Sequence, residues 1–150
     1  MTINGFWQEF LASTNRDSKT KFNDCFHFDL TEEWANKLLA LVLSGVKRAT
    51  SSSLLSYELS GENLPQVGNY NIIIDWAGTP HCVIETTAVT ILPFNEMTFD
   101  IYKREGEDTT LKTWQTGHRH FFIEDGKALG YAFSETMSVV FEDFEVVYTK

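Results

Sequence analysis

Residues 44–53 read SGVKRATSSS, and they separate a helical pattern before them from strand patterns after them. The ten positions hold one glycine, the two cations Lys47 and Arg48, and five hydroxyl residues that include Thr50. Two interpretations are open: a polar turn after a helix end, or an ammonium and a hydroxyl group that together hold an anion or a carbonyl oxygen. The second interpretation makes this segment part of a site.

The segment before it, FDLTEEWANKLLALVLSG, has the features of an amphipathic helix. Asp29 or Thr31 can cap its N-terminus, and the two glutamates that follow suit the positive end of the helix dipole. Gly45 stands where helices commonly end in a left-handed residue. The spacing of the apolar residues predicts one buried face, formed by Trp34, Leu38, Leu41 and Val42 and widened by Leu39 and Leu43.

Strand patterns begin after the polar segment. Residues 70–76, YNIIIDW, are rich in β-branched and aromatic side chains, and the next four residues suit a turn. Residues 81–92, HCVIETTAVTIL, follow that turn, so the two segments predict a β-hairpin. Residues 138–148, SVVFEDFEVVY, alternate apolar and polar side chains, which indicates a strand pair or one bent strand.

Helical patterns flank these strands. Residues 3–13 predict an amphipathic helix, and residues 14–23 have the composition of a loop. Residues 95–104 and 109–123 also allow helices. Helices at the start, followed by antiparallel strands with a helical insertion, favour an α+β fold around a sheet or a small barrel.

Length and composition suit a single domain over residues 1–150. With 43% hydrophobic residues among 150, the chain can bury a substantial core. It has no run of about 18 apolar residues, and its first residues lack the pattern of a secretory signal. Cys25 and Cys82 are too few for a disulfide framework. We therefore expect a cytoplasmic protein that makes no use of a membrane.

The acidic balance limits the class of partner. A net charge of −9 and an isoelectric point near 4.8 argue against binding to duplex DNA, which depends on neutralising many phosphates. A small ligand such as one nucleoside needs only a pocket. Acidity therefore favours a small ligand over a long RNA; RNA binding would require a local basic groove.

Lys47 and Thr50 also suit catalysis. A threonine hydroxyl becomes a nucleophile when a nearby base removes its proton, and a neutral lysine amine can be that base. Burial or a neighbouring cation such as Arg48 favours the neutral amine. The segment REGEDTTL, residues 104–111, offers a glutamate that can shuttle a proton or orient water opposite Lys47. Its carboxylates can instead cap the helix that follows.

The segment GVKRAT resembles the signature Gly-x-Lys-x-x-Thr-x-Arg of the ASCH domain family, a branch of the PUA-like superfamily. Gly45, Lys47 and Thr50 fit this signature, whereas Ser52 stands in the final arginine position. The similarity to the long bacterial ASCH proteins extends over about residues 24–148. Its other parts are HCVIETTAVTILPFNEM, the EGED segment, Trp114 with His118, the Phe pair at 121–122, and FSETM.

The resemblance implies a PUA-like β-barrel with flanking helices, in one ASCH domain over residues 1–150. Barrels of this superfamily commonly bind RNA or modified bases, and a shorter bacterial relative removes the acetyl group from N4-acetylcytidine with a Lys, a Thr and a Glu. By resemblance these roles fall on Lys47, Thr50 and Glu107, with Glu105 as the fallback. In that scheme Lys47 deprotonates Thr50, Thr50 attacks the amide carbonyl, and Glu107 assists the leaving amine.

Further side chains are candidates for ligand binding rather than for chemistry. They are Arg48, Ser52 at the signature's arginine position, Tyr57 as a surface on which a base can stack, Glu85 within an apolar strand, Glu105, His118 and Ser134. The four histidines and two cysteines lack the spacing of a metal site, so we expect no metal and no cofactor.

Three functions remain open at this point. The first is a hydrolase that acts on a modified nucleoside or on RNA, as an amidohydrolase or a ribonuclease. The second is an RNA-binding module without chemistry. The third is an interaction domain for another protein. The distances among Lys47, Thr50 and Glu107 discriminate among them, because an enzyme needs all three groups around one pocket.

Overall fold

The protein is described here over all of residues 1–150 by a computed structural model. Five strands form one sheet: β1 (Asp24–Phe26), β2 (Ala49–Ser53), β3 (Tyr70–Ile74), β4 (Pro80–Pro93) and β5 (Ser138–Thr149). Their spatial order is β1-β3-β4-β5-β2. The β1–β3 pair is parallel and the other three pairs are antiparallel. The hairpin predicted for residues 70–92 is confirmed, and residues 138–148 lie in one strand.

Two register shifts bend the long β4–β5 ladder. The first, opposite Val83 and Ile84, leaves Val147 of β5 as the extra residue, and the second, between Thr86 and Ala88, leaves Thr87 of β4 as the extra residue. Bulges of this kind kink a strand and increase its local twist. The sheet therefore curves into a half-barrel, whose two free edges are β1 and β2. This is the α+β architecture expected from the resemblance, with the barrel formed only in part.

Five helices surround the sheet: α1 (Ile3–Ser13), α2 (Glu32–Leu43), α3 (Leu54–Ser60), α4 (Phe99–Tyr102) and α5 (Leu111–Leu129). Thr31, not Asp29, caps α2, because its hydroxyl accepts a hydrogen bond from the Trp34 amide. The predicted buried face of α2 is rotated: Leu38 and Val42 are buried, whereas the Trp34 side chain is exposed. Ala35 and Leu39 complete the buried face.

The helical insertion differs from its prediction in two respects. Residues 95–104 form two short 3₁₀ turns around the four-residue α4 rather than one helix. Helix α5 begins at Leu111 and continues to Leu129, beyond the predicted end at 123. Helix α3 had no predicted counterpart. None of the helices combines the length and apolar character that crossing a bilayer requires.

The core consists of three apolar clusters around the sheet. Alternate residues of β3 point to opposite faces, so Ile72 packs against the aromatic residues of α1 while Ile73 packs against α2. The third cluster surrounds Trp114 of α5 and includes Ala49 and Phe141 from the adjacent strands. Helices α2 and α5 therefore stand on either side of the segment that contains Lys47, and a cleft opens between them.

Candidate active site

A cleft of about 1250 Å³ opens on the curved face of the sheet. Seven of the side chains proposed from the sequence line it: Lys47, Thr50, Ser52, Tyr57, Glu105, Glu107 and His118. They come from the α2–β2 connection, β2, α3, α5 and the segment before α5. The fold thus brings two sequence regions, around residues 50 and 110, to one concavity.

Lys47 reaches the cleft because α2 ends sharply. Gly45 has a φ of 81°, and the amides of Val46 and Lys47 both donate to the Leu41 carbonyl. The Lys47 side chain is then enclosed, with only 2% of the residue exposed. Its ammonium donates to the Ala49 carbonyl at 2.7 Å and to Glu107 Oε2 at 2.6 Å. Neither hydrogen bond involves Thr50.

Gly106 allows the acidic loop to approach this lysine. Its φ is 73°, and a Cβ added there would lie 2.5 Å from the Val46 carbonyl oxygen. Only glycine therefore permits the loop backbone to pack against the residue that precedes Lys47. The Arg48 amide, which donates to the Arg104 carbonyl at 2.9 Å, joins the same two segments. As a result Glu105 and Glu107 both face Lys47.

Glu105 forms the buried centre of a charge cluster, a name used below for Lys47, Glu105, Glu107 and His118. One Glu105 oxygen accepts from the Trp114 indole at 2.6 Å, and the other contacts His118 Nε2 at 3.2 Å. The Lys47 ammonium lies 3.9 Å from Glu105. The His118 ring stacks on Trp114 and its Nδ1 lies 3.0 Å from the Trp114 carbonyl. Both ring nitrogens face acceptors, so the imidazole is doubly protonated.

The pKa values in the charge cluster follow from its pairing. Burial alone would lower the pKa of His118, but the charge and hydrogen bond of Glu105 raise it to about 9. Burial also disfavours ionised Glu105, yet His118 and Lys47 outweigh it and lower the pKa of that carboxyl. Glu107 differs, because burial raises its pKa despite the neighbouring Lys47. Glu107 is therefore the carboxylate of this cluster that most readily takes a proton.

The charge cluster does not fit a metal ion. Glu105, Glu107 and His118 offer ligand atoms within 4.8 Å of one another. A histidine ligand needs a free nitrogen lone pair, whereas both nitrogens of His118 are occupied by protons directed at acceptors. The two carboxylates already compensate Lys47 and His118, so the cluster is neutral with two charges of each sign.

Thr50, Ser52 and Tyr57 form the wall next to this cluster. Thr50 and Ser52 are alternate residues of β2, so their side chains lie on the same face of the sheet. The Ser52 hydroxyl pairs with the Tyr57 hydroxyl at 2.9 Å. Tyr57 is thus held by Ser52, the residue that stands at the arginine position of the ASCH signature.

Three of the sequence-derived ligand residues lie away from the cleft. Arg48 is exposed and borders a separate small cavity behind β5. Glu85 precedes Thr86 on β4, and strand alternation places its side chain on the opposite face of the sheet. Ser134 is exposed in the loop before β5. These residues do not meet the other candidates.

Sequence comparison places these features in a family. The sequence pattern of the ASCH domain matches residues 24–148. This chain belongs to the ASCH domain family. A search among curated proteins gives no match.

Solved structures agree with this assignment. Protein EF3133 from Enterococcus faecalis V583 is 37% identical, with a TM-score of 0.90 over 97% of this chain and 87% of that one. An ASCH domain from Lactobacillus crispatus JV V101 is also 37% identical, with a TM-score of 0.86 over 95% and 92% of the two chains. An ASCH protein from Zymomonas mobilis, at 10% identity and a TM-score of 0.53 over 85% and 75%, shares the fold.

Sequence reasoning missed a row of polar residues that crosses this ASCH sheet. The row contains one residue from each strand, in spatial order: Asp24, Asn71, Thr86, Glu142 and Thr50. Asp24 pairs with Asn71 and Glu142 pairs with Thr50, while the Thr86 hydroxyl donates to Glu142 at 2.6 Å. We call this set the polar row. The sequence carried a signal at Glu142, a carboxylate within an apolar strand, but Glu85 carries the same signal.

The cleft of this ASCH domain is acidic. Its lining includes one lysine, Lys47, which is already paired, and eight carboxylates: Asp24, Asp29, Glu62, Glu105, Glu107, Asp108, Glu124 and Glu142. Phosphate groups bind where cations collect, and each phosphate brought here would meet several anions. The lining therefore suits an uncharged ligand or a cationic one.

Proposed function

We propose that this ASCH protein binds a modified nucleoside in the cleft and hydrolyses an amide on its base. The observation that carries the proposal is the 2.6 Å contact between the Lys47 ammonium and Glu107, in the cleft that Thr50 also lines. It joins an amine and a carboxylate from distant sequence regions beside a candidate nucleophile. The match to the Lys, Thr and Glu of the acetylcytidine-hydrolysing relative is an independent reason for the same roles.

The contact supports a specific proton path. Lys47 is an ammonium in the ion pair, so it first passes a proton to Glu107, whose pKa burial raises. The neutral amine then takes the Thr50 hydroxyl proton, and the oxygen attacks the amide carbonyl carbon. As the carbon–nitrogen bond breaks, protonated Glu107 gives its proton to the leaving amine. Water then cleaves the threonine ester, which releases the acid and restores the hydroxyl.

This path requires the Lys47 amine to reach the Thr50 hydroxyl. Its ammonium now donates to the Ala49 carbonyl and to Glu107, and not to Thr50. Ala49 directly precedes Thr50, so a rotation about the last bonds of the lysine side chain brings the amine toward the hydroxyl. Catalytic hydrogen bonds are often long without substrate and shorten in the complex.

The charge of the cleft supports a nucleoside over a strand of RNA. A nucleoside has no phosphate, whereas each nucleotide of RNA would place one near the eight carboxylates. The exposed cation nearest in sequence, Arg48, lies outside the cleft. We therefore propose N4-acetylcytidine or a base amide of similar size as the substrate class.

The direct test is incubation with N4-acetylcytidine, with release of cytidine followed by chromatography. Thr50→Ala should lower turnover by about 10³-fold or more, because it removes the nucleophile. Thr136→Ala, at an exposed position outside the cleft, should leave turnover unchanged. Full turnover by Thr50→Ala and by Lys47→Ala would reject these roles.

A non-catalytic RNA-binding module is the second candidate. The observation that favours it is the pairing of Lys47 with Ala49 and Glu107, which leaves Thr50 without a base in contact. This function requires binding of single-stranded RNA that weakens steeply as salt increases. Salt-dependent RNA binding combined with no cleavage of RNA or of N4-acetylcytidine would favour the module over the hydrolase.

A further inference from the structure

Two members of the polar row are largely buried residues, and each has one accessible polar atom that pairs with no other residue. Asn71 is 2% exposed and Glu142 is 7% exposed, and both line the cleft. Asn71 Oδ1 accepts from Asn23 at 3.2 Å, while its Nδ2 group donates to no other residue. Glu142 Oε2 accepts from Thr86 at 2.6 Å, while its Oε1 accepts from no other residue.

Both atoms stay accessible to solvent, unlike the Ser51 hydroxyl and the Arg104 Nε, which are buried without a partner. An accessible donor and an accessible acceptor on otherwise buried side chains can exchange water for ligand groups, and a few such polar groups fix the orientation of a ligand in a pocket. Asn23 pairs with one polar atom of Asn71, and Thr86 pairs with one oxygen of Glu142, so these atoms have structural contacts. Asn71 Nδ2 and Glu142 Oε1 have no such contact. The unused donor and the unused acceptor face the cleft, where a ligand can pair with both.

The position of Glu142 relates these atoms to the candidate chemistry. Glu142 and Thr50 are directly paired residues of adjacent antiparallel strands, so their Cβ atoms lie about 5 Å apart. An amide N–H that donates to Glu142 Oε1 therefore has its carbonyl carbon, one bond away, within reach of Thr50 Oγ1. Asn71 lies two strands further across the sheet, on the side away from Thr50.

We propose that Glu142 and Asn71 read the hydrogen-bonding edge of the base that carries the amide. This inference rests on the proposed nucleoside function and names its specificity-determining residues. Glu142 accepts from the exocyclic N–H of a cytosine-type base, and Asn71 donates to a ring acceptor on the same edge. The sugar then lies toward the open mouth of the cleft.

The assignment makes a prediction about discrimination between bases. A cytosine-type base presents an exocyclic N–H donor, whereas a uracil-type base presents a carbonyl oxygen at the same position. That oxygen would meet the Glu142 carboxylate and leave two acceptors facing each other. Sites that hydrogen-bond a substrate donor reject analogues that lack it, because the buried acceptor then has no partner.

The experiment measures binding separately from turnover. Calorimetric titration of the Thr50→Ala protein with N4-acetylcytidine, cytidine and uridine gives dissociation constants without hydrolysis. Adding Glu142→Leu or Asn71→Leu should weaken N4-acetylcytidine binding by about 10–100-fold. Glu142→Leu should also remove the preference for cytidine over uridine. Glu145→Leu, an exposed position on the same strand outside the cleft, should bind as the parent does.

Each outcome decides between the two proposals. If the parent binds the nucleoside and both leucine variants, shown to be folded by their thermal unfolding, bind equally well, the role of Glu142 and Asn71 is overturned whatever the turnover. If the wild-type protein binds with the expected preference but hydrolyses nothing, the catalytic proposal falls and the specificity residues stand. If neither the parent nor the wild type binds any nucleoside, both proposals fall.

Discussion

The charge cluster and the polar row occupy the two sides of one cleft, and they satisfy their polar groups differently. In the charge cluster, two cations and two carboxylates compensate one another, and the Trp114 indole N–H donates to Glu105 Oε2. In the polar row, Asn71 and Glu142 each leave one atom without a partner. The charge cluster satisfies its charges within the protein, whereas the polar row leaves one donor and one acceptor open to the cleft. Similar polar side chains are thus paired within the protein in one region and left partly unpaired in the other, according to their neighbours.

The strongest test of this difference removes Lys47. Lys47→Met leaves Glu105 and Glu107 buried together without their shared cation, and loss of one partner from a buried ion pair typically costs about 3–5 kcal/mol. We expect a loss of that size in the free energy of unfolding, measured with denaturant at pH 7. Lys37→Met, at a lysine on α2 outside the charge cluster, provides the control. A loss below about 1 kcal/mol would show that the cluster contributes little to stability.

The second test uses the pH dependence that His118 confers. Its folded pKa of about 9 exceeds the ordinary value of 6.5, so its stabilisation is complete below pH 6.5 and disappears as pH rises through 9. We expect the wild type to lose on the order of 3 kcal/mol over this interval from His118, and His118→Gln to lack that loss. His120→Gln, an exposed position on the same helix, should follow the wild-type curve.

The third test concerns the loop that brings the acids to Lys47. Gly106 and Gly61 have nearly equal φ values of 73° and 74°, but a Cβ meets the Val46 backbone only at Gly106. Alanine at either position introduces left-handed strain of about 1–2 kcal/mol. Gly106→Ala should destabilise the protein by about 1–3 kcal/mol more than Gly61→Ala, because the loop must also move. Equal decreases in the thermal unfolding temperature of the two variants would contradict the close approach of Gly106 to the Val46 backbone.

The smallest effect is expected in the polar row. Burial raises the pKa of Glu142, so the folded protein holds this proton more tightly than the unfolded chain and loses stability as pH rises. Glu142→Gln removes the charge and keeps the shape. We expect it to be neutral or stabilising by up to about 1 kcal/mol at pH 8, opposite in sign to Lys47→Met. A destabilisation above about 2 kcal/mol would place Glu142 among the structural groups instead.

Much of the charge cluster could be predicted from local sequence. Gly45 ends a helix as its position indicates, and Lys47 follows it at a fixed distance, so the backbone alone delivers the lysine to the start of β2. Glu105 and Glu107 likewise stand on either side of Gly106, so one short segment supplies both acids. The polar row was not predictable in this way, because its five residues lie on five strands and meet only through pairing register.

The errors have the same physical origin. Glu85 and Glu142 are both carboxylates within apolar strands, and nothing local distinguishes them; bulges and strand pairing place Thr86 and Glu142 on the cleft face and Glu85 on the other. Trp34 was assigned to a buried face by spacing alone, but α2 is rotated so that Ala35 faces the core. Helix periodicity determines which residues share a face, and tertiary packing determines which face turns inward.

The amino-acid sequence by itself determined the ASCH signature, the helix end at Gly45, the hairpin and the α+β class, since each depends on residues close together in the chain. Only the tertiary structure decided that Lys47 contacts Glu107 across 60 positions, that Arg48 and Ser134 lie elsewhere, and that Asn71 and Glu142 share a wall. Propensity and capping act over a few residues. Contacts between distant segments depend on strand register and on close backbone approach, which exist only in the assembled fold.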